Sequence, residues 1–246
     1  KNSLLIFGAN RNNLNFAIQS GGDVNKTHLI RYGNLINEYH FIQPEIRTFP
    51  SKILDDLGLE KKKFILYIGR FELEKHVEDT IYVFNEIVKI KNDYKLLLIG
   101  EGSQKDKLIK ITTDLNLDKK IIFAGTKNQK WLSQIIPLCK IYLSPHTGRA
   151  LCEAALGGAI IIGYDIDWQS EIIEHGVNGL IAPYRNLNIL KEMSIKIAED
   201  DNNFYDKFRL RIRKKAMNLL DPNIIADLEA TNIELIINTK PYIVNK

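Results

Sequence analysis

The sequence predicts an α/β fold built on an open parallel sheet with helices on both of its faces. From residue 64 onward, short apolar runs bounded by glycine, proline or charge alternate with amphipathic stretches of helical spacing. Such alternation is typical of strand–helix–strand units with right-handed crossovers. The runs also lack an alternating polar face, as strands buried on both sides of a parallel sheet require.

Six runs have the length and composition of buried strands. They are residues 64–68, 96–99, 121–124, 141–143, 159–163 and 180–182. Helical spacing of apolar residues predicts helices within residues 77–90, 103–115, 129–138, 150–156, 187–198, 204–220 and 224–236. Asp221-Pro222 predicts a break between the last two helices, because proline disfavours helical geometry in the residue before it.

The first fifty residues have a different pattern. Residues 4–7 and 28–31 fit short strands, residues 12–18 fit a short helix, and Asn-rich, Pro-containing segments follow. This is too little to close a core alone. We interpret residues 1–50 as the remnant of a preceding domain with its connector. The main domain is then predicted at residues 51–200 and a set of C-terminal helices at residues 201–246. Because the chain starts with Lys rather than Met, we expect a fragment or a processed product.

Composition narrows the class of protein. Hydrophobic residues make up 45% and charged residues 26%, which is ordinary for a soluble globular protein. No apolar run approaches the roughly 18 residues of a membrane span, and no signal peptide is visible. The net charge of +4 is spread along the chain and forms no nucleic-acid-binding tract. Cys139 and Cys152 lie in apolar stretches without metal-like spacing, so we expect two buried thiols in a reducing compartment.

The loops that follow strands hold the candidate site, because ligands of such sheets bind outside the carboxyl ends of the strands. The first loop, residues 69–76, contains Arg70 and Lys75. A guanidinium can grip phosphate oxygens in a fork, and an ammonium supplies a compact charge beside it. The alternative is that both are solvated surface cations beside Glu72 and Glu74.

The second loop is Gly100-Glu101-Gly102, whose glycines permit a tight turn or a close backbone approach. It does not complete the dinucleotide fingerprint GxGxxG, because residue 105 is Lys, and no GxxxxGK[ST] motif occurs. The pattern therefore disfavours an oxidoreductase on a dinucleotide-binding fold. A plain strand-to-helix turn is the alternative for this loop.

The third loop precedes the helix predicted at residues 150–156 and contains residues 146–149, which are His, Thr, Gly and Arg. Backbone N–H groups of residues 148–150 would point above the sheet, where a helix N-terminus favours anions. Glu153 falls within the apolar helix and is costly to bury unless it meets donors such as ribose hydroxyls. The alternative is an exposed carboxylate on the first turn, favoured there by the helix dipole.

The order of these motifs resembles the C-terminal domain of retaining glycosyltransferases of the GT-B type, family 4. The resemblance covers residues 64–185, and its segments are Gly69-Arg70 with Glu74-Lys75, Gly100-Glu101-Gly102, Phe123-Ala124-Gly125, Ser144-Pro145, Gly148 with Glu153-Ala154, and Glu171 ahead of Asn178-Gly179-Leu180. Residues 25–34 also resemble the family's interdomain connector. Each motif is weak, but together they are specific. The resemblance implies a Rossmann-like, nucleotide-sugar-binding half of an enzyme whose other, N-terminal half holds the acceptor.

The resemblance also implies roles for individual residues. Arg70 and Lys75 would hold the diphosphate and act in catalysis by meeting the negative charge that builds on the leaving group. Glu153 would accept ribose hydroxyls, and Thr126 and Lys127 would lie near the base. The remaining donor-binding positions that the resemblance implies are Gly69, Gly100, Gly102, His146, Thr147, Gly148, Arg149, Ala150 and Leu151. Neither a metal nor another cofactor is implied.

Two departures from the family pattern stand out. The family has two glutamates separated by seven residues, and the position of the first, near the donor sugar, is Pro145 here. His146, Thr147 and Arg149 are candidates for the lost polar contacts. Residues 164–171 also replace a glycine-rich turn, and Trp168 within them either packs over a ligand or covers the end of the sheet.

The leading hypothesis is thus transfer of a sugar from a nucleotide donor to a glycan or lipid-linked acceptor, in polysaccharide biosynthesis. The alternatives are a non-catalytic nucleotide-sugar-binding module and a related epimerase or phosphorylase. We expect a cytoplasmic protein, with peripheral association of the full-length protein at the inner membrane face left open. We expect no nucleic-acid partner, and we expect the isolated chain to be inactive because GT-B sites lie between two domains.

Overall fold

The computed structural model describes residues 5–44 and 51–239. The chain divides by its contacts into two compact units. One comprises residues 37–216, and the other comprises residues 1–36 together with residues 217–246. The domain boundaries expected after residues 50 and 200 stay predictions.

The strands of the described part are, in chain order, β1 (Ile6–Gly8), β2 (Thr27–Leu29), β3 (Phe64–Ile68), β4 (Lys95–Ile99), β5 (Ile121–Phe123), β6 (Ile141–Ser144), β7 (Ile161–Asp165) and β8 (Leu180–Pro183). The α-helices found there are α1 (Arg11–Gln19), α2 (Ser51–Leu57), α3 (Val77–Ile90), α4 (Lys105–Asp114), α5 (Gln129–Ile135), α6 (Arg149–Leu156), α7 (Gln169–Ile172), α8 (Leu187–Ala198), α9 (Asp206–Leu220) and α10 (Pro222–Thr239).

The larger unit contains a six-stranded sheet in the order β5-β4-β3-β6-β7-β8. All neighbouring pairs in it are parallel, which confirms the predicted fold class. The chain runs outward from β3 to β5, returns to place β6 beside β3, and then runs outward the other way. With right-handed crossovers, this reversal puts the connecting helices of the two halves on opposite faces. It also makes the β3–β6 boundary the point where the following loops diverge and leave a crevice.

The core of the larger unit forms where apolar strands meet the apolar faces of helices. Four of the five residues in β3 are buried, as both faces of the sheet are covered. On α3, Ile81, Phe84 and Ile87 are fully buried and belong to the same cluster as residues of β4 and β8. Burying such a side chain contributes about 1.5–3 kcal/mol. This packing holds the ends of the strands, and hence the loops after them, in fixed positions.

Some predicted boundaries were wrong for local reasons. The strand predicted at residues 159–163 begins at Ile161, because the amide of Ala159 still donates to the carbonyl of Ala154 in the turn that ends α6. The helix predicted at residues 103–115 is α4, which begins at Lys105, since residues 103 and 104 form a turn. The helix predicted at residues 129–138 is α5 followed by a 3₁₀ turn, Ile136–Leu138, which contains a proline.

In the smaller unit, β1 pairs with β2 in parallel, starting at Ile6 opposite Thr27. The strand predicted at residues 4–7 is displaced, with residue 4 lying outside the described residues, and the strand predicted at 28–31 starts and ends earlier than expected. Asn10 caps the helix α1 between them by accepting from the amide of Asn13. The predicted break holds, since α9 ends before Asp221 and α10 starts at a proline, which suits a first helical position. Among the described helices, none is long and apolar enough to cross a bilayer.

Candidate functional site

An open cleft of about 460 Å³ lies at the carboxyl edge of the sheet, above the β3–β6 boundary. It collects nearly all of the predicted site residues. Those lining it are Gly69, Arg70, Lys75, Gly100, Thr126, Lys127, His146, Thr147, Gly148, Arg149, Ala150, Leu151 and Glu153. The two predicted cations and the predicted ribose-binding carboxylate therefore share one cavity.

Both glycines of the second loop allow close backbone packing, but only Gly100 lines the cleft. Gly100 has φ +147°, and a Cβ there would lie 1.8 Å from the carbonyl oxygen of Gly69. The loops after β3 and β4 can approach this closely only with bare backbone. Gly102 does not line the cleft, and a Cβ on it would lie 2.5 Å from the carbonyl oxygen of Phe71. The structure therefore shows close packing at Gly102, and the donor-binding role that the resemblance implied for it stays a prediction.

Arg70 lies at the rim of the cleft. Its side chain is 73% exposed and pairs with Glu74 at 3.4 Å. The solvated alternative thus describes its present surroundings, although the residue still lines the cavity. An exposed ion pair of this kind contributes little to stability, so the guanidinium can turn toward an anion at small cost.

Lys75 is half-buried and points across the cleft to the third loop. Its Nζ donates to the carbonyl oxygen of Thr147 at 3.1 Å and lies 3.3 Å from Nδ1 of His146. Neither partner carries a negative charge. Burial lowers the pKa of Lys75, and Arg70 adds to this effect, while Glu74 and Asp167 oppose it. An anion entering the cleft would relieve part of the ammonium's desolvation.

The backbone at His76 fixes the position of Lys75. His76 adopts a left-handed conformation with φ +50° between the 3₁₀ turn Leu73–Lys75 and the start of α3. Its Nε2 lies 2.9 Å from the hydroxyl of Tyr184, and its Nδ1 contacts the guanidinium of Arg185. Burial lowers the pKa of His76, and Arg185 adds to the effect. We call these two contacts the clamp on His76. No local sequence signal indicated it, because Tyr184 and Arg185 follow a different strand.

The third loop presents backbone N–H groups to the cleft at the start of α6. Gly148 is extended at φ 168° and precedes the helix, and a Cβ on Gly148 would meet nothing within 4 Å. The first amides of a helix have no partner within it, and the helix dipole favours negative charge there. Open space therefore lies next to Arg149 and Ala150, where an anion can be received.

Glu153 is buried in the wall, with 1% of its surface exposed. The Nε of Arg149 donates to its Oε1 at 3.0 Å. Burial raises the pKa of Glu153, and the Arg149 charge opposes that rise. The alternative of an exposed first-turn carboxylate is therefore wrong. Glu153 also lines the cleft, so its carboxylate lies in the wall that hydroxyl groups of a ligand would approach.

The apolar floor of the cleft was not predicted as part of the site. It is formed by Tyr67, Ile68, Ile99, Leu132 and Tyr142. Burial raises the pKa of Tyr142 well above its usual value, so the phenol stays neutral and its hydroxyl donates to the carbonyl of Ile68. The available signal was position alone, since most of these residues lie at or near the ends of β3, β4 and β6.

Trp168 is buried and does not line the cleft. This position favours the alternative in which Trp168 covers the end of the sheet. The next residue, Gln169, ties two strand ends together by donating to the carbonyls of Ser144 and Tyr164. Within residues 5–44 and 51–239, no group of three or more His, Cys, Asp or Glu could hold a metal ion.

A sheet with this strand order and a cleft at its switch point defines an open α/β protein of the class that binds its ligand at that crevice. The family model described as "Glycosyl transferases group 1" matches residues 51–218, which is more than half of the chain. The chain therefore belongs to the group 1 glycosyl transferases.

Curated relatives and solved structures agree with this assignment. The chain is 23% identical over 209 residues to N-acetyl-alpha-D-glucosaminyl L-malate synthase of Bacillus anthracis, covering 81% of this chain and 54% of that protein. It is 28% identical over 155 residues to the UDP-N-acetylglucosamine–peptide N-acetylglucosaminyltransferase GtfA subunit of Limosilactobacillus reuteri, covering 59% of this chain and 30% of that protein. The chain thus spans about half or less of these relatives.

The fold is shared with a solved structure. HepE from Anabaena, crystallised with UDP and glucose, superposes with a TM-score of 0.80 at 19% identity. The superposition covers 94% of this chain and 63% of that one. This likeness shows that the two chains share one architecture.

Proposed function

We propose that this chain is the donor-binding half of a retaining glycosyltransferase and binds a UDP-linked sugar in the cleft at the β3–β6 boundary. The observation that carries the proposal is the meeting of Arg70, Lys75, the start of α6 and Glu153 in one cavity. These groups come from two separate segments of the chain, the loop after β3 and the start of α6. Together they match what a nucleoside diphosphate requires, which is positive charge for its phosphates and an acceptor for its ribose hydroxyls.

The reaction we propose depends on the cations. As the bond from the sugar to the diphosphate breaks, negative charge builds on the departing oxygen. Cations and helix N–H groups beside that oxygen stabilise this charge more strongly than they stabilise the bound donor. A charge-assisted hydrogen bond of this kind is worth about 1.5–3 kcal/mol. With Arg70 and Lys75 in this role, we expect binding without a metal or another cofactor.

The choice of UDP rests on the relatives. HepE was solved with UDP and glucose, and the name of the Limosilactobacillus protein specifies UDP-N-acetylglucosamine. We propose UDP-N-acetylglucosamine as the first donor to test. On this proposal the base lies near Thr126 and Lys127, and retention of the anomeric configuration is expected. The acceptor, a glycan or a lipid-linked glycan, would bind to a domain outside this chain, and the protein would act in the cytoplasm.

Calorimetric titration of the chain with UDP, GDP, ADP and dTDP tests the proposal. We expect UDP to bind most tightly, with the same affinity in EDTA as in buffer without it. Folded chain, verified by circular dichroism, that binds none of the four would contradict the proposal. Loss of UDP affinity in EDTA would refute only the expectation that binding needs no metal, and the proposed function would stand.

Substitution of the cations assigns the binding to this cleft. Lys75→Ala and Arg70→Ala should each weaken UDP binding about tenfold or more, because each removes a charge-assisted contact. Lys89→Ala is the matched control, since Lys89 pairs with Glu86 at 2.8 Å on the exposed face of α3 and lies outside the cleft lining. Equal affinities for all three variants and the unaltered chain would move the site elsewhere.

A further inference from the structure

The turn after β7 holds a carboxylate in an uncommon backbone conformation. Asp167 has φ +54°, in the left-handed region that glycine adopts most easily. The resemblance places a glycine-rich turn here, whereas this chain has Asp167-Trp168. A side chain in such a position costs stability, and such strained residues cluster at ligand-binding sites. Asp167 is therefore a candidate for a functional role.

The contacts of Asp167 lead directly to the cleft wall. Thr147, which is buried and lines the cleft, donates its hydroxyl to Oδ2 of Asp167 at 2.8 Å. The carbonyl oxygen of the same threonine accepts from Nζ of Lys75. Because β6 and β7 are neighbours in the sheet, the turn that follows each of them ends at the same edge. Asp167 thus stands beside the cationic part of the cleft.

Charge decides what a carboxylate can do at that place. It repels phosphate, but it accepts hydrogen bonds from hydroxyl groups, as it does from Thr147, and a carboxylate offers about four acceptor positions in all. Two carboxylates here differ in depth: Glu153 is buried in the cleft wall, whereas Asp167 is exposed and bonded to Thr147 of the lining. A nucleotide sugar likewise has two polyhydroxyl parts, ribose and the transferred sugar, with the diphosphate between them. The deep carboxylate suits the ribose and the outer one the transferred sugar.

We propose that Asp167 determines specificity for the donor sugar by accepting hydrogen bonds from its hydroxyl groups, with Thr147 as its positioning residue. Asp167 thereby takes over a role that the resemblance gives to a glutamate at the position of Pro145, which has no side-chain acceptor. The inference rests on the proposed function, since it assigns one end of the same donor site.

The test separates the sugar from the nucleotide. Calorimetry with UDP, UDP-N-acetylglucosamine and UDP-glucose is carried out on the chain and on Asp167→Asn, Asp167→Gly and Thr147→Val. Both Asp167 variants should weaken at least one of the two UDP-sugars about tenfold while leaving UDP unchanged or bound more tightly, because a charge that repels phosphate has gone. Thr147→Val should give a smaller loss of the same kind. Asp165→Asn, an exposed carboxylate at the end of β7, is the control and should change nothing.

Asp167→Gly guards against misfolding. Glycine suits φ +54°, and this gain offsets the loss of the Thr147 bond, so the variant should melt close to the temperature of the unaltered chain while losing affinity for the sugar. Equal changes for UDP and both UDP-sugars, or no change for any of them, would overturn the inference and leave the proposed function standing. An unaltered chain that binds neither UDP nor the UDP-sugars would overturn both.

Discussion

Glu153 shows how a single residue can be kept at the expense of stability. The protein buries this carboxylate beside one exposed guanidinium, and burial raises the pKa of Glu153. The native state therefore holds its proton to a higher pH than the unfolded chain does. The stabilising contribution of this group is complete below the unfolded pKa and is lost as the pH rises through the native pKa. At neutral pH an ionised Glu153 weakens the fold.

Glu153→Gln should separate these two effects. Glutamine keeps the shape but does not ionise, so the variant should become progressively more stable than the unaltered chain as the pH rises from about 4.5 toward neutrality. Its affinity for UDP should fall about tenfold or more, since an amide oxygen makes weaker bonds to ribose hydroxyls than a carboxylate. Chemical unfolding across this pH range and UDP titration measure the two outcomes. Identical pH profiles for the variant and the unaltered chain would show that the burial of Glu153 does not influence stability.

At the scale of elements, two glycines of the same cleft should respond oppositely to alanine. Gly100→Ala places a methyl group against the backbone of Gly69, which cannot move aside without separating the loops after β3 and β4. We expect a loss of at least about 2 kcal/mol of unfolding free energy. Gly148→Ala meets open space at an extended φ, so stability should change by no more than about 0.5 kcal/mol.

For UDP affinity the order of the two variants should be reversed, with Gly148→Ala the more damaging. The methyl group of Gly148→Ala occupies space beside the first amides of α6, and UDP affinity should fall about tenfold if a phosphate binds there. Denaturant unfolding and UDP calorimetry on both variants give the comparison. A stable Gly148→Ala variant with unchanged UDP affinity would remove the start of α6 from the site.

The strands of the sheet could be predicted because burial on both faces requires a continuous apolar run, which is visible in the sequence. Residues 64–68 are apolar throughout and form β3 with the predicted bounds. Where a boundary depends on a hydrogen bond, the sequence is less informative. Ala159 is as apolar and as buried as a strand residue, yet its amide bonds back to α6. The left-handed backbone conformations at His76 and Asp167 could not be predicted from the sequence either, since neither residue is a glycine.

On the scale of the molecule, the site could be predicted only as far as the topology could. Arg70, Lys75 and Glu153 were brought together by one rule, that loops after parallel strands share an edge. The clamp on His76 and the bond from Thr147 to Asp167 depend on side-chain geometry across strands, which the rule does not supply. The grouping of α10 with residues 1–36 is likewise a contact between distant parts of the sequence that no local pattern indicates.

The proposed function leads to a last prediction, that this chain binds the donor without transferring the sugar. The chain spans 54% of the length of the Bacillus anthracis relative, and the resemblance places acceptor binding in another domain. Incubation with UDP-N-acetylglucosamine and candidate acceptors should release UDP no faster than buffer does. The melting temperature should nonetheless rise with UDP concentration, because a ligand at 100 times its Kd stabilises the native state by about 2.7 kcal/mol. Sugar transfer by this chain alone would show that it contains a complete active site.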